Sequence, residues 1–158
     1  MRDAAAMARW AARDFVHNLE AIPVDKLDWR PAPEAKSALQ IAGEVAGSIR
    51  ATIPLLEGRD WQWQGMSELK SAAEARQAVL EAADEYATKL ESADAGKLAR
   101  EIQLPFGTFW AARFALFPVI ETIHHRGQIC YLQSLLGDAE TRFDEDAVPA
   151  FFGRPNGA

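Results

Sequence analysis

Residues 119–137, VIETIHHRGQICYLQSLLG, combine a long apolar pattern of helical period with the only clustered metal-competent side chains in the chain. On a helix Glu121 and His125 stand one turn apart, with Cβ atoms about 5–6 Å from each other, and Gln128 and Leu132 continue the same face. A carboxylate and an imidazole so placed can share one cation. His124 is rotated by about 100° from His125, so at most one of the two adjacent histidines points along that face. The spacing alone has low specificity, because Glu-x-x-x-His is also the pattern of an ordinary helical ion pair or a solvated face.

A chain of 158 residues with 49% apolar content has room for one domain with a substantial core. The net charge of −6 argues against a nucleic-acid binder, which carries a basic stripe to neutralise phosphates. A single cysteine, Cys130, rules out an intramolecular disulfide, fits a reducing cytoplasm, and reads as a small buried hydrophobe. The opening MRDAAAMARWAARDF is broken by Arg2, Asp3, Arg9, Arg13 and Asp14, so it lacks the unbroken apolar core of a signal peptide. No segment approaches the run of about 18 uncharged apolar residues of a membrane span. These features predict a soluble cytoplasmic protein that binds neither membrane nor nucleic acid.

Four helices are predicted. Met7, Trp10, Phe15, Val16, Leu19 and Ile22 recur at helical spacing and Pro23 closes the run, which places the first helix over residues 2–21. His17 lies on it, as a surface histidine or as part of a cleft. Pro31 and Pro33 then enforce a loop packed by Leu27 and Trp29, and Ser37 offers a cap for a second helix over 38–56. Glu44 sits in the apolar, small-residue middle of that helix. Gly43 and Gly47 each cost about 1 kcal/mol relative to alanine there, so a packing or access reason is implied. Pro54 kinks or ends the helix. Trp61 and Trp63 either cover the core or shape a pocket mouth, and a third helix spans 67–93 with Leu69, Ala73, Val79, Leu80, Ala83, Tyr86 and Leu90 inward.

Ile102 and Leu104 alternate with polar neighbours before Pro105 and Gly107, which reads as a short extended arm or hairpin, with no convincing sheet elsewhere. Thr108 can cap a fourth helix over 109–136, with Pro118 as a kink or boundary and Gly137 as its C-cap. Val148, Phe151 and Phe152 suit a short C-terminal helix or packed strap. The expected fold class is all-α, a four-helix bundle forming a single domain over 1–158.

Taken together, LDWRPAPEAKSALQIAGEV at 27–45, LPFGTFWA at 104–111 and ETIHHRGQICYLQSLLG at 121–137 resemble the DinB-like (damage-inducible, YfiT-like) superfamily of four-helix-bundle metalloproteins. The resemblance implies an up-up-down-down bundle with a short C-terminal extension, commonly a homodimer, holding a divalent metal at one end of the helices. Relatives include thiol-dependent transferases and isomerases. The family pattern supplies three metal histidines, and these positions fall on Glu44, Glu121 and His125, so only one histidine is kept. Two carboxylates and one imidazole neutralise a divalent ion and make a harder site than three imidazoles. Manganese, iron or magnesium thereby gains over zinc or nickel.

Two functions remain open. In one, the chain is a metal-dependent enzyme, a thiol-dependent transferase or a hydrolase acting on a small molecule, with metal on Glu44, Glu121 and His125, and with His124 or His17 moving protons. In the other it is a metal-free, catalytically inactive bundle that binds a small molecule or acts in stress-associated interactions. Converging carboxylates need an answering charge, which a metal, a shared proton or an arginine such as Arg50 or Arg126 can supply.

Overall fold

The computed structural model describes residues 2–140 and 142–143. Helix α1 spans Arg2–Leu19 and buries Ala5, Ala8, Ala12, Phe15 and Leu19 along one stripe. Its small residues let it pack closely on two neighbours, α3 and α6. Helix α2, Ala38–Leu56, begins with a reciprocal capping box. The Ser37 hydroxyl accepts from the Gln40 amide at 3.3 Å, and the Gln40 side chain accepts from the Ser37 amide at 3.0 Å. Pro54 falls in its last turn, where the chain leaves the helix two residues later. Helix α2 is buried almost all round, with Gln40, Glu44, Arg50 and Pro54 the positions that reach solvent.

The mid-helix glycines of α2 have the packing role their cost implied. Residues 57–71 cross the helix over Gly43 and Gly47, and the Ser67 amide donates to the Gly43 carbonyl at 3.1 Å. A Cβ on Gly47 would stand 2.7 Å from the Gly65 carbonyl oxygen and 3.3 Å from the Trp63 ring. This crossing also delays the next helix. Helix α3 is Ala72–Glu91, capped by Ser71, so it starts five residues later than its apolar period indicated. Leu69 lies outside it and Ala73 is exposed, whereas Val79, Ala83, Tyr86 and Leu90 are buried as expected.

Tyr86 is fully buried and its hydroxyl donates to the Ala115 carbonyl, so burial pushes its phenol well above its ordinary range. A group whose folded-state pKa is raised contributes stability that is complete below the unfolded pKa and is lost as pH rises past it. Stability is therefore expected to fall above about pH 10, by about 1.4 kcal/mol per pH unit. Urea denaturation across that range should show a shallower decline in Tyr86→Phe, and equal slopes would remove Tyr86 as the cause.

The short extended arm or hairpin expected before the fourth helix is present, preceded by a short helix, and its second strand takes residues expected to open the fourth helix. Helix α4, Ala95–Leu98, is followed by β1, Glu101–Leu104, and β2, Gly107–Trp110, paired antiparallel with Ile102 opposite Phe109. Thr108 is therefore a strand residue and not a cap; its hydroxyl donates to Gln103 across the ladder at 2.9 Å. Aromatic and β-branched residues on a pleated, half-buried surface outcompete the helical reading here. A single turn, α5 at Ala111–Phe114, then leads to α6, Phe117–Leu135, with Pro118 in its first turn as a boundary. Gly137, at φ +93°, closes α6: its amide donates to Ser134 and that of Asp138 to Gln133, the paired bonds of a left-handed helix stop.

Helix α6 packs on α1 and α2, while α3 packs on α1 and α2 from the other side. The protein is mostly helical, with one small two-stranded sheet among the described residues. No helix among these residues is long and apolar enough to cross a membrane. The chain beyond α6 is held at Arg142, whose carbonyl accepts from Asn18 at 3.2 Å and Arg126 at 2.7 Å. Val148, Phe151 and Phe152 lie outside the described residues.

Candidate metal centre

Glu44 comes from the middle of α2, and Glu121 and His125 from successive turns of α6. Because α2 and α6 pack side by side, the three side chains converge at the imidazole. His125 Nε2 lies 3.3 Å from a Glu121 oxygen and 3.6 Å from Glu44 Oε2. The imidazole is buried, and the two carboxylates are 22% and 26% exposed, on the edge of solvent. His124 is exposed on the adjacent face, as the rotation between neighbouring helical residues requires.

Gln128 decides which imidazole nitrogen faces the carboxylates. His125 Nδ1 is 2.8 Å from Gln128 Oε1, an acceptor only, so Nδ1 carries the proton and donates it. The other end of the same amide is 3.1 Å from His124 Nε2 and donates to it. This chain leaves His125 Nε2 either with a bare lone pair or as part of an imidazolium. Nε2 is buried and makes no hydrogen bond among the described residues, the two carboxylates standing beside it.

A cation already stands at one carboxylate. The Lys36 ammonium, from the proline-rich loop ahead of α2, pairs with Glu44 Oε2, the oxygen that also faces His125. Among the described residues, no group of three or more His, Cys, Asp or Glu side chains is placed so as to hold a metal ion. Both short approaches run through His125, and Lys36 shares with it the same Glu44 oxygen.

Two cavities flank the cluster. One, about 270 Å³, has Glu44 and Glu121 in its wall together with Trp61, Trp63, Phe106 and Phe117. The hairpin tip delivers Phe106, and the segment crossing α2 delivers the stacked pair Trp61 and Trp63, with centroids 6.4 Å apart. The other, about 630 Å³, lies beyond Lys36 and is walled by Pro31, Lys36, Ile41, His124, Gln128 and Tyr131, among others.

A sequence model of the DinB superfamily matches residues 7–129, a span that takes in all three converging side chains and most of the helical frame. The chain belongs to the DinB superfamily. Its fold is similar to that of YjoA, a DinB-like protein from Bacillus subtilis. The TM-score with that crystal structure is 0.71 at 18% identity, covering 89% of this chain and 96% of that one. No curated protein matches the chain.

In this DinB-superfamily chain the arginines considered as counter-charges are engaged elsewhere. Arg50 donates to the Ser67 hydroxyl at 3.0 Å and to the Ala78 carbonyl, and Arg126 lies 2.8 Å from Asp14 on the α1 side. Lys36 takes the role instead. Eight residues before Glu44 and in a loop, it shares no helical face with it, so periodicity could not point to it. His17 is exposed on α1 and lines neither cavity. Cys130 is half-buried, its thiol 3.4 Å from the Asn18 side-chain oxygen, so it is not a plain core hydrophobe. Trp61 and Trp63 meet both expectations, since Trp61 packs edge-on against Phe114 at 5.9 Å while both indoles wall the smaller cavity.

Proposed function

We propose that the chain is a divalent-metal-dependent enzyme of the DinB superfamily, with Glu44, Glu121 and His125 as ligands and thiol-dependent transfer or hydrolysis as its reaction class. The observation that carries this reading is the orphaned His125 Nε2. Its partner nitrogen is tied to Gln128, the outer-layer hydrogen bond that fixes a metal-binding imidazole. Two donors each about 2.1 Å from one ion at a tetrahedral angle stand about 3.4 Å apart. The approaches of 3.3 and 3.6 Å bracket that spacing and exceed a strong charge-assisted hydrogen bond. A metal here would require Lys36 to leave Glu44 Oε2, which its loop position and half-exposed side chain allow.

Two carboxylates with one imidazole favour manganese, iron or magnesium over zinc or nickel. When bound, such an ion would lower the pKa of a coordinated water or thiol, or polarise a carbonyl. The chain's own residues would do the rest. Trp61, Trp63, Phe106 and Phe117 would hold an apolar part of a small substrate and exclude water from the carboxylates. His124, linked to His125 through Gln128 at its Nε2, would move a proton at its other ring nitrogen, Nδ1. The ring of contacts among α1, α3, α2 and α6 supports reading the chain as one up-up-down-down four-helix bundle, and the single cysteine fits a reducing cytoplasm.

Lys36 favours a second reading, in which its ammonium on Glu44 and an imidazolium facing Glu121 complete a metal-free network in a catalytically inactive small-molecule or stress-associated interaction bundle. Elemental analysis of protein purified without a histidine tag separates the two. The first expects a stoichiometric metal that is lost in Glu44→Ala, Glu121→Ala and His125→Ala. It also expects added manganese to raise stability by about 2.7 kcal/mol at a hundredfold excess over Kd. No metal at any loading, with unchanged melting, would leave the second.

A further inference from the structure

The larger cavity, about 630 Å³, has a volume in the range of small-molecule sites. Its floor is apolar, made by Ile41 of α2 and Leu132 of α6, both nearly fully buried. Pro31 and Ala35 close it on the side of the loop ahead of α2, and the exposed Tyr131 ring stands on the α6 side. A void left by imperfect core packing is lined by apolar groups alone. This one is bordered as well by Lys36, His124, Gln128 and Glu34.

The polar groups around it are mostly donors. The Lys36 ammonium stands between the cavity and Glu44, with which it pairs. Gln128 donates to His124 Nε2 across 3.1 Å, so the neutral imidazole carries its proton at Nδ1 and has an N–H to give. The Tyr131 hydroxyl adds a third donor. Glu34 is the one carboxylate on the wall among the described residues.

We propose that this cavity binds a small monocarboxylate with a flat apolar body, whose carboxylate takes Lys36 from Glu44 while the body lies between Tyr131 and Pro31. Charge decides between the two cavities. The smaller one exposes Glu44 and Glu121 and repels an anion, whereas Lys36 borders the larger one. Charge also limits the ligand, because Glu34 repels a second negative charge and no arginine fork for a phosphate stands on the wall among the described residues. Shape supplies the room: a Cβ at Gly127 would meet nothing within 4 Å, so the α6 wall is bare backbone at that point.

The lysine is the shared part. It is half-exposed on a loop, and its flexible four-carbon stem can turn from one carboxylate to another. Glu44 and the ligand therefore compete for one ammonium. This inference stands apart from the metal reading, because it concerns the chain without metal.

Calorimetric titration of phenylacetate into the full chain, stripped of metal by a chelator, is expected to show one saturable site. Phenylacetamide, the same shape without the charge, should bind about tenfold more weakly, a comparison that needs no variant. Lys36→Met should weaken phenylacetate about tenfold and leave phenylacetamide unchanged. Gly127→Leu, which adds a side chain on open backbone, should block both ligands while helical circular dichroism is kept. Glu44→Gln should tighten phenylacetate by about threefold to tenfold, because the amide no longer holds the ammonium. No saturable binding below about 10 mM, equal affinity for the amide, or binding unaltered in Lys36→Met or Gly127→Leu would each overturn the proposal. So would inorganic phosphate that displaces phenylacetate at equal concentration, or a Glu44→Gln variant that binds no tighter than the native chain.

Discussion

Gly43→Ala, a change that stabilises an open helix by about 1 kcal/mol, is expected to destabilise this protein by up to about 2 kcal/mol. The new Cβ would overlap the Ser67 carbonyl oxygen, with the Ser67 carbonyl carbon 3.3 Å away. Backbone cannot swing aside as a long side chain can, so the crossing segment must lift. Overpacking of this kind costs about 1–3 kcal/mol, which outweighs the gain in helix propensity. Lifting the segment also strains the Ser67 amide bond to Gly43 and the Arg50 bond to the Ser67 hydroxyl, and it moves the Trp61 and Trp63 walls of the smaller cavity. Urea denaturation followed by circular dichroism should show a lower midpoint, and the tryptophan emission of the folded state should shift toward that of exposed indole. A midpoint equal to or above that of the native chain would mean that the crossing segment is not held against α2.

The long helices were legible because their signals are local. The Ser37 cap, the apolar period of α1 and the Gly137 stop are each local signals, and each appears where the sequence placed it. What was not legible depends on distant partners. Residues 67–71 have helix-compatible composition, but Ser67 is tied to Gly43, with Gly65 and Trp63 lying over Gly47 just before it, and this keeps the chain non-helical up to Ser71, a competition decided by tertiary contact. Thr108 looks like a cap beside a helical run until Ile102 and Phe109 find each other across a ladder.

At the site, the spacing of Glu121 and His125 predicted one face of one helix, and the family resemblance added Glu44. Neither carried Lys36, because a loop lysine reaches a helix glutamate only once Pro31 and Pro33 have set the path of the chain. The available signal was composition. An apolar helix bearing one glutamate requires an answering cation, and Lys36 is the basic residue nearest its start.

Lys36 therefore gives the sharpest test of what the cluster does. Lys36→Met keeps the length and apolar stem of the side chain and removes its charge from Glu44 Oε2, the oxygen a metal would share with His125. Two unit charges about 4 Å apart interact by about 4 kcal/mol at an effective dielectric constant of about 20. Because the lysine is 42% exposed, solvent screens most of that, leaving on the order of 1–2 kcal/mol of competition. Manganese affinity measured by calorimetry is thus expected to rise about tenfold in Lys36→Met. The metal-free variant should melt below the native chain, because Glu44 then faces Glu121 across His125 without its ammonium. Metal should then raise the melting temperature of the variant by more than it raises that of the native chain. A variant that binds manganese no better than the native chain would show that Lys36 does not compete for the site. A stability loss in Lys36→Met that no divalent ion restores would instead make the lysine a permanent member of the cluster, with Glu44, Glu121 and His125 held together by protein charges alone.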